Sequence, residues 1–166
     1  MKKLLMILPL VFLLCFTFGF LLSQEVAEEL METNQNADEI AIRETMEKSI
    51  NGLNNHDIKA HLSTLIEDYE TWSGRGELKA REKNFTELWK WQKSAMYKVV
   101  EELGISFISP DVALYKARFE RTGEIEKDGT PIPRNERQGV WILAKKGGKW
   151  LGKWLIAAWY TRPIEE

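Results

Sequence analysis

From Asp38 onward the apolar positions keep a helical period. Ile40, Ile42, Met46, Ile50 and Leu53 recur on one side, with Glu39, Arg43, Glu47 and Lys48 on the other. This spacing predicts a helix over 38–54, capped by Asp38 and ended by Gly52 and Asn54–Asn55. A second helix is predicted over 57–66, with Asp57 as N-cap and Ile58, Leu62, Leu65 and Ile66 as its apolar side. Tyr69–Trp72 reads as a short strand leading into the loop Ser73–Gly76. A third helix over 78–93 carries Leu78, Phe85, Leu88, Trp89 and Trp91.

Beyond that helix the period drops to two. Tyr97–Ile108 is strand-like at Ile105–Ile108, and Ser109–Pro110–Asp111 turns the chain. The segments Val112–Thr122, Arg137–Lys145 and Lys149–Thr161 are aromatic and β-branched. They are separated by the Gly/Pro-marked loop Asp128–Pro133 and the turn Lys146–Gly147–Gly148. Such runs predict an antiparallel meander. On Val112–Arg121 one face is Ala113, Tyr115, Ala117, Phe119 and Arg121, and it should meet the helices. Val112, Leu114, Lys116, Arg118 and Glu120 should face solvent or a partner. In the last strand GlyLysTrpLeu occurs twice, at Gly148–Leu151 and Gly152–Leu155. The doubling either lengthens the hairpin or bulges it at Gly152.

The N-terminus changes the picture. Lys2 and Lys3 precede Leu4–Leu22, apolar apart from Thr17, and Ser23 supplies a small residue before acidic sequence begins at Glu25. That order predicts a signal peptide over 1–24, a linker over 25–37 and one domain over 38–164. The expected location is secreted or periplasmic. An uncleaved membrane anchor is the competing reading, because about 19 apolar residues just span a bilayer. Lipidation at Cys15, the only cysteine, is disfavoured because Leu13 and Leu14 stand where a small residue is wanted. Cleavage after Gln24 would leave 142 of the 166 residues, without cysteine, so stability must come from the core. It would also remove two lysines from a formal charge of −2. Acids are interleaved with bases throughout, which excludes nucleic acid as a partner class.

Three segments carry a resemblance. They are Asn54–Leu62 (AsnAsnHisAspIleLysAlaHisLeu) followed by AspTyrGluThrTrp at Asp68–Trp72, then Ser109–Phe119 (SerProAspValAlaLeuTyrLysAlaArgPhe), then Gly152–Tyr160 (GlyLysTrpLeuIleAlaAlaTrpTyr). In order and spacing the chain resembles the SnoaL-like branch of the nuclear transport factor 2-like superfamily, which also contains ketosteroid isomerase-like proteins. The resemblance implies an α+β cone, a strongly curved antiparallel sheet wrapped around three N-terminal helices with a pocket at the open end. It also implies homodimers formed through the sheet. Fold sharing alone does not transfer function.

Candidate chemistry is sparse. An enzyme in such a cone needs an internal base and an oxyanion donor. His56 and His61 read as solvated, at the junction of the first two helices and on the polar side of the second. Two histidines without cysteines or spaced carboxylates supply no metal site. No cofactor is expected. The weak catalytic candidates are Asp68 as base and Tyr115 as donor; Glu70 is an equivalent carboxylate, and Glu120 should lie outside, paired with an arginine. Tyr69, Trp72, Trp89, Tyr115 and Trp159 are the candidate ligand wall, with Tyr160 a further donor and Trp141 either wall or outer-sheet interface. All seven tryptophans fall between Trp72 and Trp159. Arg137 and Arg162, at strand ends, are candidates for selecting an anion. The leading expectation is an exported domain holding a small, largely apolar molecule. Its alternatives are a cone-type isomerase, dehydratase or hydrolase, and a non-catalytic dimerisation module.

Overall fold

The computed structural model describes residues 34–71, 74–75 and 78–163. The predicted signal peptide lies outside the described residues. The described residues 34–39 are helical, and the body described below begins at Ile40. Among the described residues, no helix is long and apolar enough to cross a membrane.

Helix α1 covers residues 34–54 and is already formed four residues before Asp38, so Asp38 does not cap it. Ile42 and Met46 are buried, and Ile50 and Leu53 continue their stripe, whereas Ile40 is 51% exposed. The reason is angular, because two residues of helix turn about 200° and take Ile40 away from Ile42. At the C-terminus His56 adopts the left-handed region (φ 53°). The Asp57 amide donates to the Gly52 carbonyl at 2.8 Å and the His56 amide to Leu53 at 3.2 Å, which makes a Schellman closure. Gly52 is needed here for space. A Cβ on it would stand 2.6 Å from the His61 amide nitrogen, so α1 and the next helix meet backbone to backbone.

Helix α2 is only Ile58–Leu62, capped by Asp57, whose carboxylate accepts from the Ala60 amide at 3.0 Å. The predicted extension to residue 66 fails because the Ser63 and Thr64 hydroxyls donate back to the Ala60 and His61 carbonyls, at 2.7 and 2.6 Å. Leu65 and Ile66 therefore belong to strand β1 (Leu65–Thr71), which begins four residues earlier than predicted. After the two-residue β2 (Gly74–Arg75), α3 runs Leu78–Leu88 and ends five residues early, in a turn through Trp91.

The meander is β3 (Met96–Ser109), β4 (Val112–Thr122), β5 (Asn135–Lys146) and β6 (Lys149–Pro163). The sheet order is β2-β1-β6-β5-β4-β3, open at both edges. The expected all-antiparallel sheet needs one correction, since β1 pairs with β6 in parallel. Register shifts interrupt β3–β4, β5–β6 and β1–β6, and each such bulge adds local twist that curves the sheet. One lies at the doubled motif. Leu143 faces Gly152 and Ile142 faces Trp154, leaving Lys153 as the extra residue. Of the two readings of the repeat, the bulge is the one formed.

The core joins α1 to the concave face. Ile42 and Met46 pack with Ala113, Tyr115, Ala117, Leu143 and Trp150, and Val99, Ile105, Phe107 and Trp141 surround them. The predicted inner face of β4 is therefore the observed one. A smaller cluster of Leu65 and Ile66 with Leu62, Leu78, Leu151 and Leu155 seats α2 and α3. Asn54 ties α1 to the sheet edge, giving its amide hydrogen to the Tyr97 carbonyl (2.9 Å) and accepting from the Tyr97 amide (2.8 Å).

Candidate functional site

The space left between α1, α3 and the concave sheet is a cavity of about 280 Å³. It is small among ligand sites, which start at roughly 300 Å³. Met46, Ile50 and Leu53 supply its α1 wall, Phe85 its α3 wall, and Phe119, Trp141, Leu65 and Leu155 its sheet wall. The polar lining consists of Thr45, Ser49, His61, Thr64, Tyr97, Arg81, Arg121 and Arg137. Backbone spacing holds the Trp141 ring in place. A Cβ on Gly139 would stand 2.5 Å from its Cη2, and the ring also packs against Tyr115 (5.8 Å) and Phe119 (5.7 Å).

His61 is the lone imidazole in this lining, and its placement corrects the expectation of a solvated residue. It is 5% exposed, enclosed by Ser49 and the edge of the Phe85 ring at 5.2 Å. Its Nδ1 lies 3.0 Å from Ser49 Oγ and 3.4 Å from the Ser49 carbonyl oxygen. A carbonyl only accepts, so that contact places the proton on Nδ1 and leaves Nε2 with a lone pair. Nε2 has no protein partner. Burial, with the Arg81 charge adding to it and the Ser49 bond opposing, lowers the imidazole from 6.5 to about 4. Neutral at ordinary pH, it can accept a hydrogen bond or a proton from a molecule in the cavity.

Arg121 is held on the wall from two sides. It forms an ion pair with buried Glu124, and its Nη2 donates to the Tyr97 hydroxyl at 3.3 Å with the guanidinium 5.1 Å above that ring. Burial lowers its pKa, Tyr97 opposes the shift and the Arg137 charge adds to it. It stays charged because guanidinium is so strong a base. Arg137 stands on the same inner face, with Phe119 opposite it and Asn135 opposite Arg121. Its Nε donates to Asn135 Oδ1 at 3.0 Å.

The sequence candidates are dispersed by the fold. Asp68 is exposed on β1, and no described carboxylate lines the cavity. Tyr115 is buried, but it borders a second hollow beside Arg43 and Glu102. Burial, and then the Glu102 charge, raises its pKa, opposed by Arg43. Trp89 sits in the turn after α3 against His56, ring centroids 4.9 Å apart, and does not reach the cavity. His56 is structural rather than solvated, its Nε2 lying 3.2 Å from the Gln92 carbonyl. Trp141 points inward, which removes it as an outer-sheet interface residue. Glu120 is paired outside with Arg134, as expected. The side chains of Tyr69, Glu70, Trp72, Trp159, Tyr160 and Arg162 lie outside the described residues. Among the described residues, no three His, Cys, Asp or Glu side chains gather as a metal site.

Comparison with solved structures places this architecture. A hexachlorocyclohexane dehydrochlorinase, LinA type 2, superposes with a TM-score of 0.68 at 14% identity, covering 81% of this chain and 93% of that one. A scytalone dehydratase-like protein from Novosphingobium aromaticivorans gives 0.64 at 15%, over 81% and 92%. A cystatin-like protein of unknown function from Nostoc punctiforme gives 0.57 at 13%, over 73% and 90%. The chain has the nuclear transport factor 2-like fold. At these identities the likeness is one of fold, and the nuclear transport factor 2-like fold hosts unrelated chemistries. No family model and no curated protein sequence matches the chain.

Proposed function

We propose that this chain is an exported domain that binds a small, largely apolar molecule in the cavity between α1, α3 and the concave sheet. The observation that carries the reading is the lining itself. Apolar side chains from both layers surround one neutral histidine whose Nε2 no protein group satisfies. A buried acceptor left unpaired costs about 1–3 kcal/mol, which a donor on the ligand or a water enclosed with it recovers. The dehydrochlorinase and dehydratase-like relatives in fold are named for small organic substrates, which supports the same use of the cone. Lys2, Lys3 and the apolar run Leu4–Leu22 support export to the periplasm or the medium.

Protein purified from its own host tests both halves. Its mass should lack the first 24 residues, and its Tm should rise on adding small apolar probes such as 1-octanol or toluene. A mass that retains Met1–Gln24 contradicts export. A Tm unmoved by every probe contradicts the binding reading.

A further inference from the structure

The cavity wall carries an electrostatic imbalance that an apolar ligand alone leaves unanswered. Arg121 and Arg137 are diagonal neighbours on the inner faces of β4 and β5, a separation of roughly 7–8 Å between backbone positions. Both line the cavity, and Arg81 lines it from α3. Arg121 is tied along one edge to Glu124 and Tyr97, and Arg137 through Nε to Asn135. Asn135 is neutral, so its bond to Arg137 orients the guanidinium without cancelling its charge. No described acid lines the space. Glu124 answers the charge of Arg121, whose pKa is lowered chiefly by burial with the Arg137 charge adding to it, and Arg137 has no such acid on Asn135.

Resting on the binding reading above, we propose that Arg121 and Arg137 receive the carboxylate of an apolar monocarboxylic acid whose tail packs between Met46, Phe119 and Trp141. A carboxylate suits the planar fork of a guanidinium, which recognises it with two parallel hydrogen bonds. The volume of about 280 Å³ sets the tail length, since at about 30 Å³ per water-sized group it takes roughly nine such groups. That corresponds to a medium-chain or single-ring acid.

The test is calorimetric titration with octanoate and 1-octanol, which share a tail and differ in the head. Wild-type protein should bind octanoate at least tenfold more tightly than octanol at pH 7. Arg137→Gln keeps a donor for Asn135 and should bring the two affinities level, leaving octanol within about twofold of wild type. Arg137→Lys, which keeps the charge and loses the fork, should retain only part of the preference. Octanol binding as tightly as octanoate to the wild type overturns the carboxylate assignment and leaves the cavity reading intact. An octanoate preference unchanged in Arg137→Gln overturns the role of Arg137. Failure of both probes to bind overturns the cavity reading and the proposal with it.

Discussion

Replacing Trp150 by alanine is expected to destabilise the domain by about 3–5 kcal/mol, the range for deleting a buried large aromatic. Trp150 is 2% exposed and belongs to the core cluster with Ile42, Met46 and Leu143. Its ring meets the edge of Phe107 at 5.9 Å, and the Lys145 ammonium stands 5.6 Å over its face. Its carbonyl accepts from the Thr45 hydroxyl at 3.0 Å, so backbone and side chain both fix the start of β6 against α1. A domain of this size is stable by only about 5–15 kcal/mol, so the variant should lose much of its margin. Urea unfolding followed by circular dichroism measures this. A loss below about 1 kcal/mol would mean that the indole is not wedged between helix and sheet. Trp150→Phe retains most of the packing and should cost clearly less.

The second large effect is on acid stability and resides in His61. Its folded pKa of about 4 lies below the ordinary 6.5, so between these values the unfolded chain takes up a proton that the folded chain refuses. Protonation of the unfolded state favours unfolding. His61 therefore contributes nothing adverse above about pH 7, and its penalty grows as the pH falls through 6.5 and is complete below 4. A shift of this size corresponds to about 3 kcal/mol, most of it expressed by pH 4.5. Comparing urea midpoints of wild type and His61→Gln at pH 7 and pH 4.5 isolates the effect from other groups. The wild type should lose about 2–3 kcal/mol more than the variant between the two pH values. Parallel losses would show that the imidazole is already exposed to water in the folded state.

How much of this was legible in the sequence depends on the range of the signal. The alternation Ala113, Tyr115, Ala117, Phe119, Arg121 is a local period of two, and it correctly gave the concave face of β4. Phe119 and Arg121, both in the cavity lining, were on that face from the outset. The β3–β6 meander followed from its turn residues for the same reason. His61 was read as solvated by residue type, although it stands three residues after Ile58 and four before Leu65 and so shares a helix side with both. The pair Ser63–Thr64, whose hydroxyls close the helix by bonding back to Ala60 and His61, was the available sign that it stops.

Other features had no local signature. The parallel pairing of β1 with β6 joins residues more than eighty positions apart, and nothing near Leu65 announces Gly152 as its partner. Arg81 reaches the cavity from α3, where it stands between Leu78 and Phe85 on the helix's apolar side, and its charge hid that placement. The candidate wall of Tyr69, Trp72, Trp89, Tyr115 and Trp159 was chosen by residue type. Residue type does not distinguish a ring in the core from a ring on a cavity, and Tyr115 lies in the core. The doubled GlyLysTrpLeu motif was visible as a repeat, but its length of four concealed a one-residue bulge at Lys153.

The hollow itself is tested most directly by diffraction from crystals of the folded domain soaked with bromobenzene, whose bromine scatters anomalously and whose ring fits the available volume. A bromine peak among Met46, Phe119 and Trp141 is the predicted result. An interior packed solid there, with bromine found only on the outer face of the sheet or not at all, would contradict it.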